Sequence, residues 1–138
     1  MLADDVRAFL AAPVRPGILT TVRADGRPHA APIWYELDGD ELVFTTGAAT
    51  VKSRNIARDP RVALCVQDER PPFSYVLVEG VATASEDPDE LLRWATAIGG
   101  RYMGAHVAEQ FGRRNAVPGE LLVRIAPTHV AKAWHVAD

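Results

Sequence analysis

Apolar and polar residues alternate with a period of two along most of this chain, and helical spacing is confined to a few short stretches. Residues 3–11 predict a short amphipathic helix, with Val6, Phe9 and Leu10 on one face and Asp4 or Asp5 near its start. Pro13 and Pro16 break that pattern. From Gly17 the chain reads as strands. Ile18-Leu19-Thr20-Thr21-Val22 runs into Asp25-Gly26, a strong hairpin signal, and Pro28 to Leu37 forms the return strand. Asp38-Gly39-Asp40 marks a second turn, and Leu42 to Thr46 a third strand closed by Gly47. Three strands joined by tight turns predict a meander.

Thr50 to Arg58 switches to helical spacing, with Thr50 as the N-cap and Asp59-Pro60 as the stop. Arg61 to Gln67 returns to strand, and a loop at 68–72 leads to a long strand from Phe73 to Ala84. Gly80 interrupts that strand and marks a bulge or a close approach. Pro88 to about Arg114 is the one substantial helical region, capped by Asp87 or Ser85 and divided by Gly99-Gly100 and Gly104. Two last strands, Leu121 to Ile125 and His129 to Trp134, pivot on Pro127. The expected class is mainly β: a six- to seven-stranded antiparallel barrel with a few peripheral helices, forming a single domain over residues 1–138.

Composition narrows the functional classes. Hydrophobic residues make up 48% and charged residues 24%, the balance of a globular domain, and no apolar run approaches the length of a membrane span. A net charge of −3 argues against a general nucleic-acid or anionic-membrane binder. The single cysteine, Cys65, excludes an internal disulfide, and Met1-Leu2-Ala3-Asp4-Asp5 lacks the features of a signal peptide, so a cytoplasmic setting is expected. The four histidines, at 29, 106, 129 and 135, have no close ligand spacing, and no metal site is expected. Neither a nucleophile elbow nor a dinucleotide fingerprint is present.

The segment from Phe44 to Arg61 carries the chemistry. It holds four cations (Lys52, Arg54, Arg58, Arg61) and one anion, Asp59, in an acidic chain, and it places a strand end, a small-residue loop and a helix start in succession. The first amides of a helix lack internal partners and carry the positive end of its dipole. A phosphate there would gain those amides, the Thr50 hydroxyl and the Lys52 ammonium. Arg58 and Arg61 read equally well as a solvated face.

Gly17-Ile18-Leu19-Thr20-Thr21, Asp25-Gly26-Arg27-Pro28-His29, Pro32-Ile33-Trp34-Tyr35, Thr46-Gly47, Lys52-Ser53-Arg54-Asn55-Ile56 and Asp59-Pro60-Arg61-Val62 follow one another in order, with Glu79-Gly80-Val81-Ala82 further on. In this series the chain resembles the pyridoxamine-phosphate-oxidase-like split barrel, a Greek-key fold, from about Val14 onward. Within that superfamily it is most similar to the branch using the deazaflavin coenzyme F420. The resemblance implies that Pro32, Ile33 and Trp34 lie along the cofactor ring and that Thr45 and Thr46 stand beside the ring or its ribityl chain. Thr50 and Lys52 would hold the phosphate, with Asn55 close to it. Arg54, with Arg58, would suit the longer anionic tail of F420 if both share a groove with Lys52. The resemblance further implies a homodimer with cofactor sites at the interface, where the helical region 88–114 and Trp134 would help wall the partner's site. The implied function is F420H2-dependent reduction of an electrophilic, conjugated small molecule by hydride transfer, with the proton donor unassigned among Tyr35, Tyr75, His29 and solvent. FMN is the alternative cofactor, and a non-catalytic flavin or haem binder the alternative class. The end of the chain, residues 131–138, lacks an Arg/His-rich terminus, which speaks against vitamin B6 synthesis.

Overall fold

The computed structural model describes residues 1–138. Helix α1 (Asp4–Ala11) leads into β1 (Gly17–Val22), β2 (Pro28–Ile33), β3 (Glu36–Asp38) and β4 (Glu41–Gly47). Helix α2 (Val51–Arg58) separates β4 from β5 (Arg61–Gln67) and β6 (Tyr75–Ser85). Helix α3 (Pro88–Met103), a 3-10 turn at Ala105–Val107, α4 (Ala108–Asn115) and β7 (Glu120–Ala133) complete the order. The seven strands form one sheet, β2-β1-β5-β6-β7-β4-β3, in which every pairing is antiparallel.

The expected meander does not form. The hairpins β1–β2 and β3–β4 lie at opposite edges of the sheet, because the strand expected over Pro28 to Leu37 is interrupted at Trp34-Tyr35. Tyr35 turns inward there, fully buried, and its hydroxyl donates to the Leu10 carbonyl at 2.8 Å. Ile33 and Glu36 are three residues apart, so their Cα atoms are separated by at most about 11 Å. A flat sheet of seven strands would hold its edges roughly 29 Å apart. The sheet therefore curls until β2 and β3 approach each other, and the result is a split barrel.

Helix boundaries follow local chemistry. Asp87 caps α3 by accepting from the amides of Asp89 and Glu90, with Pro88 in the first turn. Gly104, at φ +112°, ends that helix, whereas Gly99 and Gly100 do not break it as expected. Gly99 serves packing: a Cβ there would lie 2.4 Å from Cβ of Phe111, so its absence lets α4 close on α3. The two expected C-terminal strands are one, β7, paired with β6 along its length. Its register slips between Glu79 and Gly80, and a Cβ on Gly80 would lie 2.6 Å from the Ala126 carbonyl oxygen. Bulge and close approach coincide at that glycine. Strand β6 begins at Tyr75 rather than Phe73, whose φ of +66° is incompatible with extended pairing.

Alternate residues of the strands fill the barrel, among them Leu19, Leu64, Val66, Val76, Val78 and Ile125, all fully buried. A second apolar cluster, Val43, Leu91, Trp94 and Leu122, lies between α3 and the outer side of β4 and β7. Burial of each such side chain stabilises by about 1.5–3 kcal/mol. That cluster fixes α3 against the sheet and so builds one wall of the cleft described next. No helix is long and apolar enough to cross a membrane.

Candidate functional site

Strand β4 ends at Gly47, and its carbonyl oxygen organises the turn into α2. It accepts from the Thr50 amide at 3.2 Å, the Ser53 hydroxyl at 2.7 Å and the Thr50 hydroxyl at 2.9 Å. Thr50 Oγ1 in turn accepts from the Ser53 amide at 3.3 Å, so Thr50 is the N-cap that the sequence predicts. The amides of Val51 and Lys52, first in the helix, find no acceptor within the chain. They leave the positive end of the helix open to an anion.

Lys52 stands beside those amides. It is half-buried and makes neither a hydrogen bond nor an ion pair within the chain. Burial lowers its pKa below that of an ordinary lysine, and the nearby charge of Glu120 offsets part of that shift. A desolvated cation without a partner is an anion site by its chemistry.

Lys52 and Thr45 open onto a cleft of about 280 Å³. Pro32, Ile33 and Trp34 form one side, and Ala95, Ile98 and Gly99 of α3 form the other, with Asn115 at the end of α4. Trp34 is 39% exposed and stacks on Tyr102, with ring centroids 5.1 Å apart and planes within 4°. Phe111 tilts against the same indole at 6.2 Å. Tyr102 is itself held, since its hydroxyl donates to the Arg15 carbonyl at 2.7 Å and accepts from the Tyr35 amide at 3.2 Å. Trp34 is thus a supported aromatic surface beside a slot of mixed polar and apolar lining with a cation at one end. Such a slot suits a flat conjugated ring that carries an anionic tail.

Of the residues expected in the site, Pro32, Ile33, Trp34, Thr45 and Lys52 are brought together here. Thr46 alternates to the opposite side and is buried, its hydroxyl 3.4 Å from that of Thr50. Asn55 is buried and committed to the fold: its amide donates to Thr21 Oγ1 at 3.0 Å and its carbonyl accepts from Arg58 at 2.9 Å. Arg54 does not share a groove with Lys52. Two residues apart on a helix means about 200° of rotation, and Arg54 lines a separate groove of about 340 Å³ with Arg23, Arg27 and Arg58. Trp134 packs on Phe9 at 5.3 Å and is not among the cleft residues of its own chain. The helical region 88–114, expected beside a partner's site, contributes to the cleft of its own subunit. Of the conceivable proton donors, Tyr35 is buried with its hydroxyl engaged, and Tyr75 and His29 are not among the cleft residues. Pro71-Pro72-Phe73 is also absent from the lining; the Pro72 carbonyl accepts from the Ala137 amide instead.

Sequence reasoning did not assign Ala95, Ile98, Gly99 and Asn115 to the cleft, nor Glu120 to the strand end beside it. Helical spacing identifies Ala95 and Ile98 as an apolar face but not the surface that they face. Glu120 pairs with Gly47 across β4 and β7, and its Oε2 is buried without a hydrogen-bond partner. Nothing local in the sequence marks it.

The family model for pyridoxamine 5'-phosphate oxidase matches residues 2–133. Among solved structures, the conserved hypothetical protein Rv2991 from Mycobacterium tuberculosis is similar at a TM-score of 0.83 and 27% identity, over 98% of this chain and 86% of its own. An F420 reductase is similar at a TM-score of 0.70 and 26% identity, over 94% of this chain and 98% of its own. HutZ, the heme storage protein from Vibrio cholerae, has a TM-score of 0.75 at 16% identity, over 99% of each chain, a likeness of fold alone.

Proposed function

The chain belongs to the pyridoxamine 5'-phosphate oxidase family, and from that premise we propose that it is an F420-dependent reductase holding the deazaflavin in the Lys52 cleft. The observation that carries this reading is Lys52 itself: an unpartnered, partly desolvated cation beside two open helix amides, at the end of a slot walled by Trp34. Lys52 and the Val51 and Lys52 amides would hold the phosphate. The backbone of Pro32 and Ile33, with Trp34, would orient the ring, and Ala95, Ile98 and Gly99 would keep water from its other side. A bound deazaflavin supplies a two-electron hydride donor for a conjugated acceptor; the protein binds, orients and shields. The similarity to an F420 reductase supports the deazaflavin over FMN. Against a haem carrier, the cleft lining includes no His, Cys, Met or Tyr to ligate iron.

A cytoplasmic homodimer completes the reading. The outer face of β1, β5 and β6 leaves Ile18 and Val81 44% and 39% exposed, and a groove of about 560 Å³ lies there. Arg61, which is paired with Asp59 at 2.7 Å, and Glu79 both border that groove. Light scattering on the purified protein tests the dimer.

The test of function is a fluorescence titration with coenzyme F420 and with FMN, repeated on Lys52→Ala. Micromolar or tighter F420 binding, weaker FMN binding and loss of both on substitution support the reductase, and turnover of a conjugated acceptor by reduced F420 then separates catalysis from carriage. Preference for FMN moves the protein to a flavin-dependent oxidoreductase or carrier. Failure of both to bind, or indifference to Lys52→Ala, overturns the assignment of the cleft.

A further inference from the structure

Residue 47 faces the same side of the sheet as Thr45, because alternate strand residues share a face, and Glu120 is its partner on β7. Glu120 therefore lies beside the strand end that opens into the cleft. A Cβ on Gly47 would lie 3.8 Å from Glu120 Oε2 and 3.6 Å from Cγ2 of Thr50. The glycine thus lets the carboxylate and the Thr50 methyl both approach the backbone at the start of the turn, while Glu120 itself lines a neighbouring cavity with Glu86, Pro88 and Leu91. Oε2 is buried and accepts no hydrogen bond, a costly state for a carboxylate oxygen. At the end of the same turn, Lys52 is a cation with no hydrogen-bond or ion-pair partner, and the field of Glu120 reaches it. Lys52 is the only charged residue lining the cleft. Two opposite charges, neither with a hydrogen-bond partner at its buried atoms, thus border one turn over 47–52, too far apart to pair as they stand.

Resting on the phosphate reading of this cleft, we propose that Glu120 is an internal competitor for Lys52, which weakens the hold on a ligand's phosphate and makes binding depend on the rest of the ligand. The Glu120 field draws the Lys52 ammonium toward the carboxylate across a partly desolvated turn, so a phosphate must compete with Glu120 for the same cation. A bare phosphate is then bound poorly, while a ligand with a ring to fill the Trp34 slot overcomes that competition. Glu120 acts through Lys52 as a specificity-determining residue.

Isothermal titration of wild type, Glu120→Gln, Lys52→Met and the double variant with FMN, coenzyme F420, inorganic phosphate and riboflavin tests this. Neutralising Glu120 is expected to tighten binding of FMN, F420 and inorganic phosphate by about tenfold. Riboflavin, which has no phosphate, is expected to bind unchanged, and the gain is expected to vanish in the Lys52→Met background. A merely structural role would alter riboflavin as well. Equal or weaker phosphate binding in Glu120→Gln overturns the proposal, as does a gain shared by riboflavin or surviving Lys52→Met. If wild type binds neither F420 nor FMN, the reductase reading fails separately, and the inorganic phosphate arm still decides the role of Glu120. Glu120→Ala with a circular dichroism melt serves as the second neutralising variant should Glu120→Gln fold poorly.

Discussion

Lys52 and Arg54 stand two residues apart on α2, yet Lys52 faces a cleft with no other charge and Arg54 a groove bordered by three more arginines. By charge alone the arginine groove is the stronger anion site. Its cations, however, are exposed or already engaged. Arg27 is paired with Asp25 at 2.7 Å, and Arg58 donates to the Val22 carbonyl at 3.0 Å and to Asn55. The cleft has one cation, and that one is partly desolvated and without a partner. A binding site is defined by unsatisfied charge in a low-dielectric surround; solvated charge in larger amount counts for less.

The largest test of this contrast is Lys52→Ala against Arg54→Ala in the same titration. Loss of a charge-assisted hydrogen bond, about 1.5–3 kcal/mol, predicts that Lys52→Ala weakens a phosphate-bearing ligand by roughly 10- to 150-fold. Arg54→Ala is expected to change affinity by less than about 5-fold, the range of an exposed charge. Equal losses would break the contrast and return the arginine groove to the cofactor site.

Asn55 links the two regions, because its amide ties α2 to Thr21 and orients Arg58. Asn55→Ala leaves the Thr21 hydroxyl without its donor and is expected to cost about 1–3 kcal/mol in stability. Urea unfolding measures it. A ligand affinity that collapses while stability holds would instead make Asn55 a ligand contact.

Gly99 belongs to the cleft side alone. Gly99→Ala places a methyl against Phe111 and pushes α4 from α3, at an overpacking cost of about 1–3 kcal/mol, offset by the roughly 1 kcal/mol that Ala gains in helix propensity. A melting temperature lowered by a few degrees is expected, with weaker binding in the cleft.

The smallest effect is in pH. Lys52 holds an anion only when protonated, and burial lowers its pKa from the ordinary 10.5. Affinity for a phosphate ester should therefore fall as pH rises, beginning below the range of a free lysine. Titrations at increasing pH follow that descent, and Lys52→Ala should lack it.

Much of the fold was legible locally. Thr50 caps α2, Asp25-Gly26 turns the first hairpin, and Gly80 marks the bulge, because capping, turn geometry and steric exclusion act within a few residues or on one strand pair. The order of strands was not legible. Hairpin signals join neighbours in sequence, while the pairing of β4 with β7 spans 73 to 83 residues and depends on which faces bury best. The site divides the same way. Pro32, Ile33, Trp34, Thr45 and Lys52, singled out by motif and helix-start chemistry, line one cleft. Arg54 was misplaced because charge counting along a segment does not register helical rotation.

The sequence by itself determined the mainly β class, the capped start of α2 and the cation at its second position, since each depends on residue type and short-range geometry. Only the tertiary structure decided that α3 walls the cleft, that Trp34 rests on Tyr102, and that Glu120 lies behind Gly47. Those contacts join residues roughly 40 to 75 positions apart, and chain closure over such distances is governed by the burial of the whole core.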